Sequence, residues 1–342
     1  MPPPISVIEG PYLADLLFQP QALADTLAGL TPLPSLAPEK FRRIVLTGMG
    51  GSLHTLHPLS LQLIGHGFTS LVAETSELVY SMSGLLGSGT LLVALSQSGR
   101  SAETVRLLEG CGRGVTTIGI TNTAGSPLAE RADVTVLTRA GPEASVSSKT
   151  VLAALLALAW LGDCLCGKDL ARTARELAEA APAAGSYLAR WREHVASLCG
   201  ELAGVRDVFL VGRGASLAAA GVGGLIIKES THVHSEGMSS AAFRHGPFEM
   251  LSPEVFVLVL EGDPATAPLN RALVGDIRNA GGRAALAGPG AELDVFRLPE
   301  VPPAVRPILE MLPVEMISLA LAALAGREAG RFERIAKVTT TE

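Results

Sequence analysis

The chain is predicted to be an α/β protein in which two doubly wound parallel sheets follow one another, each sandwiched between helices as three α/β/α layers. Three observations predict this. The segment Arg43-Ile44-Val45-Leu46-Thr47-Gly48-Met49-Gly50-Gly51-Ser52-Leu53 returns as Asp207-Val208-Phe209-Leu210-Val211-Gly212-Arg213-Gly214-Ala215-Ser216-Leu217, each a strand, a Gly-x-Gly-x-Ser turn and a helix. The stretch Gly89 to Gly119 recurs as Pro253 to Leu286, with an apolar strand, a polar loop, a helix, a glycine break and another strand. Hydrophobic residues make up 48% of the chain but aromatics only 4%, so the core is mostly Ala, Leu, Val and Ile, as in sheets buried on both faces. Two copies of a βαβαβ unit favour two sheets over one large one.

The elements follow in order. Residues 1–40 read as an N-terminal arm, rich in proline to about Pro38. The first domain covers 41–168: a strand from Arg43, a strand ending at Glu74, and the apolar strand Leu91 to Leu95. That last strand breaks into Ser96-Gln97-Ser98-Gly99, and Ser101-Ala102-Glu103-Thr104 opens a helix behind a serine cap. A helix runs from Val151. The Ala-, Arg- and Glu-rich stretch within 169–200 reads as a helical bridge. The second domain covers 201–342, with a strand from Asp207, the glycine-rich helix Ala218 to Lys228, and a C-terminal tail that alternates apolar and polar residues.

Composition narrows the function. At 342 residues the chain has room for two domains with a core each. Lys and Arg total 27 against 33 Asp and Glu, a net charge of −6, and no basic stripe offers a surface for nucleic acid or an anionic membrane. The apolar run Val151 to Gly162 is too short to span a bilayer, and Met1-Pro2-Pro3-Pro4 has no secretory pattern, so a cytoplasmic location is expected. Cys111, Cys164, Cys166 and Cys199 fit no zinc spacing and read as free thiols.

The strand-to-helix turn at Ser96 aims backbone N–H groups and hydroxyls at one point, where the helix dipole favours an anion. It carries neither the lysine nor the aspartate of a nucleotide-triphosphate site, so the expected guest is a phosphate ester; an ordinary loop with a serine cap is the plainer alternative. The pocket walls would be Gly50-Gly51-Ser52, the Ser96 loop, and Ser145-Val146-Ser147-Ser148-Lys149-Thr150, all expected at the carboxyl ends of strands. The second copy has Glu261-Gly262-Asp263-Pro264 in place of the serine loop, and its carboxylates would repel phosphate. One anion pocket is therefore expected, in the first half. Gly48-x-Gly50 invites a dinucleotide reading, but the third glycine of that fingerprint falls at Leu53. His232-x-His234 lacks an evident third metal ligand. Neither a metal nor a cofactor is expected.

Three residues suit proton transfer. Glu229, at the end of an apolar helix, would have its pKa raised by partial burial and serve as a general base. His245, in the loop His245-Gly246-Pro247, is a loop histidine of the kind that can pass a proton to a substrate oxygen. Lys337, if its tail folds over the pocket, would be desolvated there and able to hold a carbonyl substrate or form an imine with it. A solvated helix-end pair, a structural histidine and a solvated tail lysine are the competing readings.

With these residues in view, the chain resembles the sugar isomerase (SIS) family, in particular the isomerase half of glucosamine-6-phosphate synthase and the related amino-sugar-phosphate deaminases. The resemblance runs from Phe18-Gln19-Pro20 to Glu342 and rests on Ser96-Gln97-Ser98-Gly99, Ala140-Gly141-Pro142-Glu143, Lys228-Glu229, His245-Gly246-Pro247 and Ala336-Lys337. It implies two tandem flavodoxin-like SIS domains. It implies that Ser52, Ser96, Gln97, Ser98, Ser101 and Ser148 hold a sugar phosphate, with Gly51, Val146 and Ala336 beside them. It also implies that Glu229, His245 and Lys337 carry out the chemistry, and that the histidine comes from the neighbouring subunit of a homodimer.

The chain departs from the synthases at Ile226, where they carry a lysine. It also departs in Ser239 to Arg244, which lacks a glutamate found in many relatives, and in the order Lys149-Thr150. With its first sheet beginning near residue 41, no glutaminase domain is expected. The reaction so implied is deamination of glucosamine 6-phosphate to fructose 6-phosphate and ammonia. The alternatives are a deglycase of 6-phosphorylated fructosamines, a galactosamine-type isomerase/deaminase, and a non-catalytic sugar-phosphate sensor.

Overall fold

The computed structural model describes residues 6–33, 36, 38–112, 114–334 and 337. Contacts divide them into two compact units, one holding residues 6–20, 143–148 and 179–333, the other the remainder.

Ahead of the first strand lie two helices, α1 (Pro11–Leu17) and α2 (Gln19–Gly29), where proline content had suggested an arm. The prolines explain the difference: Pro11 and Pro20 occupy the first turns of these helices, where an absent N–H breaks no bond. Tyr12, Leu13 and Leu16 form the buried stripe of α1.

The first sheet is built from β1 (Arg43–Gly48), α3 (Gly51–Thr55), α4 (His57–Gly65), β2 (Ser70–Glu74), α5 (Thr75–Tyr80), β3 (Thr90–Leu95), α6 (Ala102–Gly110), β4 (Val115–Thr121), α7 (Pro127–Arg131) and β5 (Val134–Leu137). Its helices α8 (Lys149–Leu165) and α9 (Leu170–Leu177) complete the unit. All strands are parallel, in the order β2-β1-β3-β4-β5. Successive residues along a strand serve opposite faces. Ile44, Leu46, Leu91 and Val93 pack with Leu59 and Leu63 of α4 and Leu158 and Leu161 of α8. Val45, Leu92 and Ala94 pack with Leu78, Leu107 and Leu128 of α5, α6 and α7. Both faces are thus covered.

The second unit contains α10 (Ala180–Leu188), α11 (Trp191–Glu201), β6 (Asp207–Gly212), α12 (Leu217–Thr231), β7 (His234–Ser239), α13 (Ser240–Phe243), β8 (Val255–Leu260), α14 (Ala267–Asn279), β9 (Arg283–Ala287), α15 (Arg306–Leu309) and α16 (Met311–Leu324). Its parallel order, β7-β6-β8-β9, repeats the first four strands of the other sheet. The glycines of α12 have a steric reason. A Cβ on Gly224 would come 2.6 Å from Gly237 N, and one on Gly237 would come 1.9 Å from Ala220 O. Helix and strand meet backbone to backbone there.

The stretch 169–200, expected as a bridge, is divided: α9 groups with the first sheet, α10 and α11 with the second. The segment 143–148 groups with the second sheet as well. Arg306–Leu324 is the one described helical stretch long and apolar enough to cross a membrane; 94% of it is buried inside the protein, as a core helix would be.

Candidate functional site

Within the first sheet's unit, β1 and β3 are paired neighbours, so the turns that follow them lie side by side. The β1 turn holds Gly51 and Ser52. Gly50 adopts φ +51°, which favours glycine, and a Cβ on Gly51 would meet nothing within 4 Å. The backbone at Gly51 therefore faces open space that a ligand can approach.

The Ser96 loop is fastened from several sides. Ser96 N donates to Ile120 O at 3.1 Å, and Gln97 O accepts from Asn122 N at 3.0 Å and Thr121 Oγ1 at 3.1 Å. Gly99 turns the chain at φ +62°, where a Cβ would lie 2.2 Å from Ser126 Oγ. Ser96 Oγ accepts from Gly99 N at 3.2 Å, and Ser98 Oγ accepts from Arg100 N at 3.2 Å. These bonds use the hydroxyl oxygens as acceptors, and each O–H is left to donate to an anion. Ser101 is different. It caps α6, accepting from Thr104 N at 3.4 Å and sharing a hydrogen bond of 2.7 Å with Thr104 Oγ1. Its first task is to hold the helix whose N-terminus faces the loop.

Ser148 and Val146 lie in the other unit, in a loop well beyond the end of β5 rather than at a strand terminus. Both are fully buried. Ser148 N donates to Glu143 Oε1 at 3.0 Å, with Ser148 Oγ 3.5 Å from the same oxygen. Ser145 Oγ donates to Gly330 O at 2.6 Å, and Ala144 N donates to Asp15 Oδ2 at 3.0 Å.

Glu229 lies inside α12, two residues before its last residue Thr231, rather than beyond it, and is half-buried. Its surroundings reveal Tyr12, Ser318 and Glu315, which sequence reasoning did not single out, together with Gln19 and Glu143 of the motifs quoted above. Ser318 Oγ donates to Glu315 O at 2.7 Å, so in the 3.0 Å contact between Tyr12 and Ser318 the phenol is the donor. Gln19 Nε2 donates to Glu315 Oε1 at 2.6 Å. Burial pushes the Tyr12 hydroxyl well above its ordinary pKa, and the charges of Glu315, Glu143 and Glu229 push the same way. Burial likewise raises Glu315, against the pull of Gln19, with Glu143 adding to the rise. Acids, a phenol and an amide thus share one buried cluster within electrostatic reach of Glu229. The available signal was Glu315 itself, an acid inside the otherwise apolar helix α16.

His245 is exposed, in a turn closed by its N–H bonding Ala242 O at 2.9 Å, with Gly246 at φ +128° beside Pro247. Lys337 is half-buried and groups with the first sheet. Ala336 lies outside the described residues. The four cysteines are free thiols, none disulfide-bonded, with pKa values raised first by burial. Of the two histidines weighed as ligands, His234 Nδ1 lies 2.8 Å from Asp207 and His232 Nε2 lies 3.2 Å from Arg327.

The SIS domain model matches residues 36–161 and 201–286, once over each sheet. The chain belongs to the SIS domain family. Among curated relatives, glutamine–fructose-6-phosphate aminotransferase [isomerizing] of Pyrococcus horikoshii is 31% identical over 345 residues, covering 96% of this chain and 57% of its own length. The Thermococcus kodakarensis protein of the same name is 28% identical and is covered over 58% of its length. This SIS chain therefore spans somewhat more than half the length of these two relatives. Among solved structures, the C-terminal domain of glucosamine-fructose-6-phosphate aminotransferase from Francisella tularensis superposes with a TM-score of 0.85 at 21% identity, covering 95% of this chain and 98% of that one. Glucosamine-6-phosphate deaminase from Thermotoga maritima gives 0.82 at 17% identity, covering 97% and 100%. These likenesses establish two tandem SIS domains as the fold.

Proposed function

We propose that this SIS chain is a phosphosugar isomerase acting on a phosphorylated amino sugar, and that it deaminates glucosamine 6-phosphate to fructose 6-phosphate and ammonia. The observation that carries the reading is the pair of neighbouring strand ends at Ser52 and Ser96. There hydroxyl donors, exposed backbone and the capped end of α6 converge where open α/β sheets bind ligands. The names of the relatives, which act on fructose or glucosamine 6-phosphate, support the substrate class.

In this reading Ser52, Ser96, Gln97 and Ser98 hold the phosphate. His245, reaching in from the neighbouring subunit of a dimer, protonates the ring oxygen, and Lys337 steadies the open chain. Glu229 takes the proton from carbon 2 and returns it to carbon 1. The carbon–nitrogen bond at carbon 2 then becomes an imine, and water adds to it to release ammonia and leave the ketone. Nothing in that sequence calls for a metal or a nicotinamide.

The test is direct. Glucosamine 6-phosphate should yield ammonia and fructose 6-phosphate in equal amounts, in the presence of a chelator and without nucleotide. Glu229→Gln should lose most turnover while retaining binding. Binding without ammonia release from either hexosamine phosphate epimer would overturn the deaminase assignment. Turnover of a fructosamine 6-phosphate would then indicate a deglycase, and its absence a sensor.

A further inference from the structure

The second sheet has its own counterpart of the Ser96 loop, and it has been rebuilt. Glu261 follows β8 as Ser96 follows β3, and its N–H bonds Ala287 O at 2.9 Å just as that of Ser96 bonds Ile120 O. Here the Glu261 carboxylate itself accepts from Arg271 Nε at 2.7 Å and Gly290 N at 3.0 Å. A Cβ on Gly288 would stand 2.4 Å from Glu261 Oε2, so that glycine makes room for the carboxylate. The donors that a phosphate would need are already taken.

Beside this carboxylate opens a cavity of about 380 Å³, lined by prolines and aliphatic residues and by Glu310. That volume admits a hexose-sized molecule. Glu310 is 1% exposed. Its Oε1 accepts from Ser216 Oγ at 2.8 Å, while its buried Oε2 has no hydrogen-bond partner among the described residues. The charged lining is Glu261, Glu300 and Glu310 against Arg271 and Arg306. Arg271 is engaged by Glu261, and Arg306 lies 3.8 Å from Asp263. The cavity is therefore acidic on balance, and the bond it lacks is one from a donor.

We propose that this cavity is a second small-molecule site, for an unphosphorylated polyhydroxy amine such as an amino sugar, whose ammonium donates to Glu310 Oε2. The assignment stands apart from the Ser96 loop and from the reaction proposed above. Burial raises Glu310 to about 7, Ser216 and Arg306 pulling the other way. Glu261 and Arg271 face the cavity from the end of β8 and from α14, Glu300 from the segment before α15, and Arg213 sits on the loop that carries Ser216. An ammonium pairs with the ionised carboxylate and is itself lost as pH approaches 8, so affinity should rise about fivefold from pH 6 to pH 7 and then level off.

Calorimetry on the full chain with glucosamine and with glucose tests the site. Glucosamine should bind, about fivefold more tightly at pH 7 than at pH 6, and glucose should bind at least tenfold more weakly and without that pH dependence. Binding should persist in the Ser96→Ala/Ser98→Ala protein, which separates this site from the phosphate loop. It should vanish in Glu310→Gln and in Val301→Trp, the latter filling the cavity from its lining without altering the buried acid, so it decides alone if the first does not fold. Equal binding of glucose, or glucosamine binding unchanged in folded Val301→Trp, would overturn the proposal.

Discussion

Replacing Ser96 and Ser98 together with alanine separates the ligand-binding role of this loop from its structural role. The structural cost is small for a specific reason. Gly99 N, which donates to Ser96 Oγ, also donates to the Ser96 carbonyl at 3.1 Å, so that N–H keeps a partner. Arg100 N, which donates to Ser98 Oγ, belongs to an exposed residue, and water replaces the lost oxygen. Together these amount to about 1 kcal/mol or less, a change of roughly 2–4 °C in melting temperature at most. For the ligand, two donors to a phosphate dianion disappear, each contributing roughly 1.5–3 kcal/mol. The dissociation constant for a hexose 6-phosphate should rise by about two to four orders of magnitude, and by no less than tenfold. Calorimetric titration alongside a thermal melt reads both quantities in one preparation. An unchanged isotherm would refute the phosphate assignment, and a melting temperature lowered by about 10 °C would show the hydroxyls to be structural.

Gly99→Ala should be far more damaging. Its φ of +62° and the 2.2 Å approach to Ser126, which itself caps α7, leave the methyl no space, and urea denaturation should show a loss of about 2–4 kcal/mol. If His245 serves a neighbour, His245→Ala mixed with Glu229→Gln should recover activity as heterodimers form; no recovery after demonstrated subunit exchange would place the histidine in its own chain's site. Glu310 binds its proton more tightly folded than unfolded, so its contribution is fully present below about pH 4.5 and is lost as pH rises through about 7, worth about 3 kcal/mol. Glu310→Gln should therefore gain stability relative to the parent between pH 5 and pH 8, and a constant difference in urea melts over that range would contradict the buried titration.

The parallel sheets were legible because their strands carry apolar residues on both faces, and the duplication was legible because Gly48-x-Gly50-x-Ser52 and Gly212-x-Gly214-x-Ser216 repeat a turn under the same backbone constraint. The helices α1 and α2 were not, since prolines at first-turn positions look like breakers until the turn is known. The Ser96 loop was visible as a motif; the division of labour within it was not. Ser101 spends its hydroxyl on α6 and Ser148 lies against Glu143, and both depend on partners fixed only by the fold. The cluster at Tyr12 and Gln19 was illegible for a further reason: their partners Ser318 and Glu315 lie 306 and 296 residues away, and the contacts exist only in the fold.

The two sheets show how one backbone solution supports opposite electrostatics. After β3 the loop presents hydroxyls and a glycine turn, leaving donors for an incoming anion; after β8 the same strand-end geometry carries its own carboxylate, already bound to Arg271 and Gly290 N. A phosphate at the second position would have to displace a buried, ion-paired glutamate, which costs several kcal/mol before any new bond forms. The divergence is thus more than loss of a binding motif. By neutralising its own anion site, the second copy leaves a cavity whose remaining unmet group is an acceptor, and the class of molecule that the cavity suits changes sign accordingly.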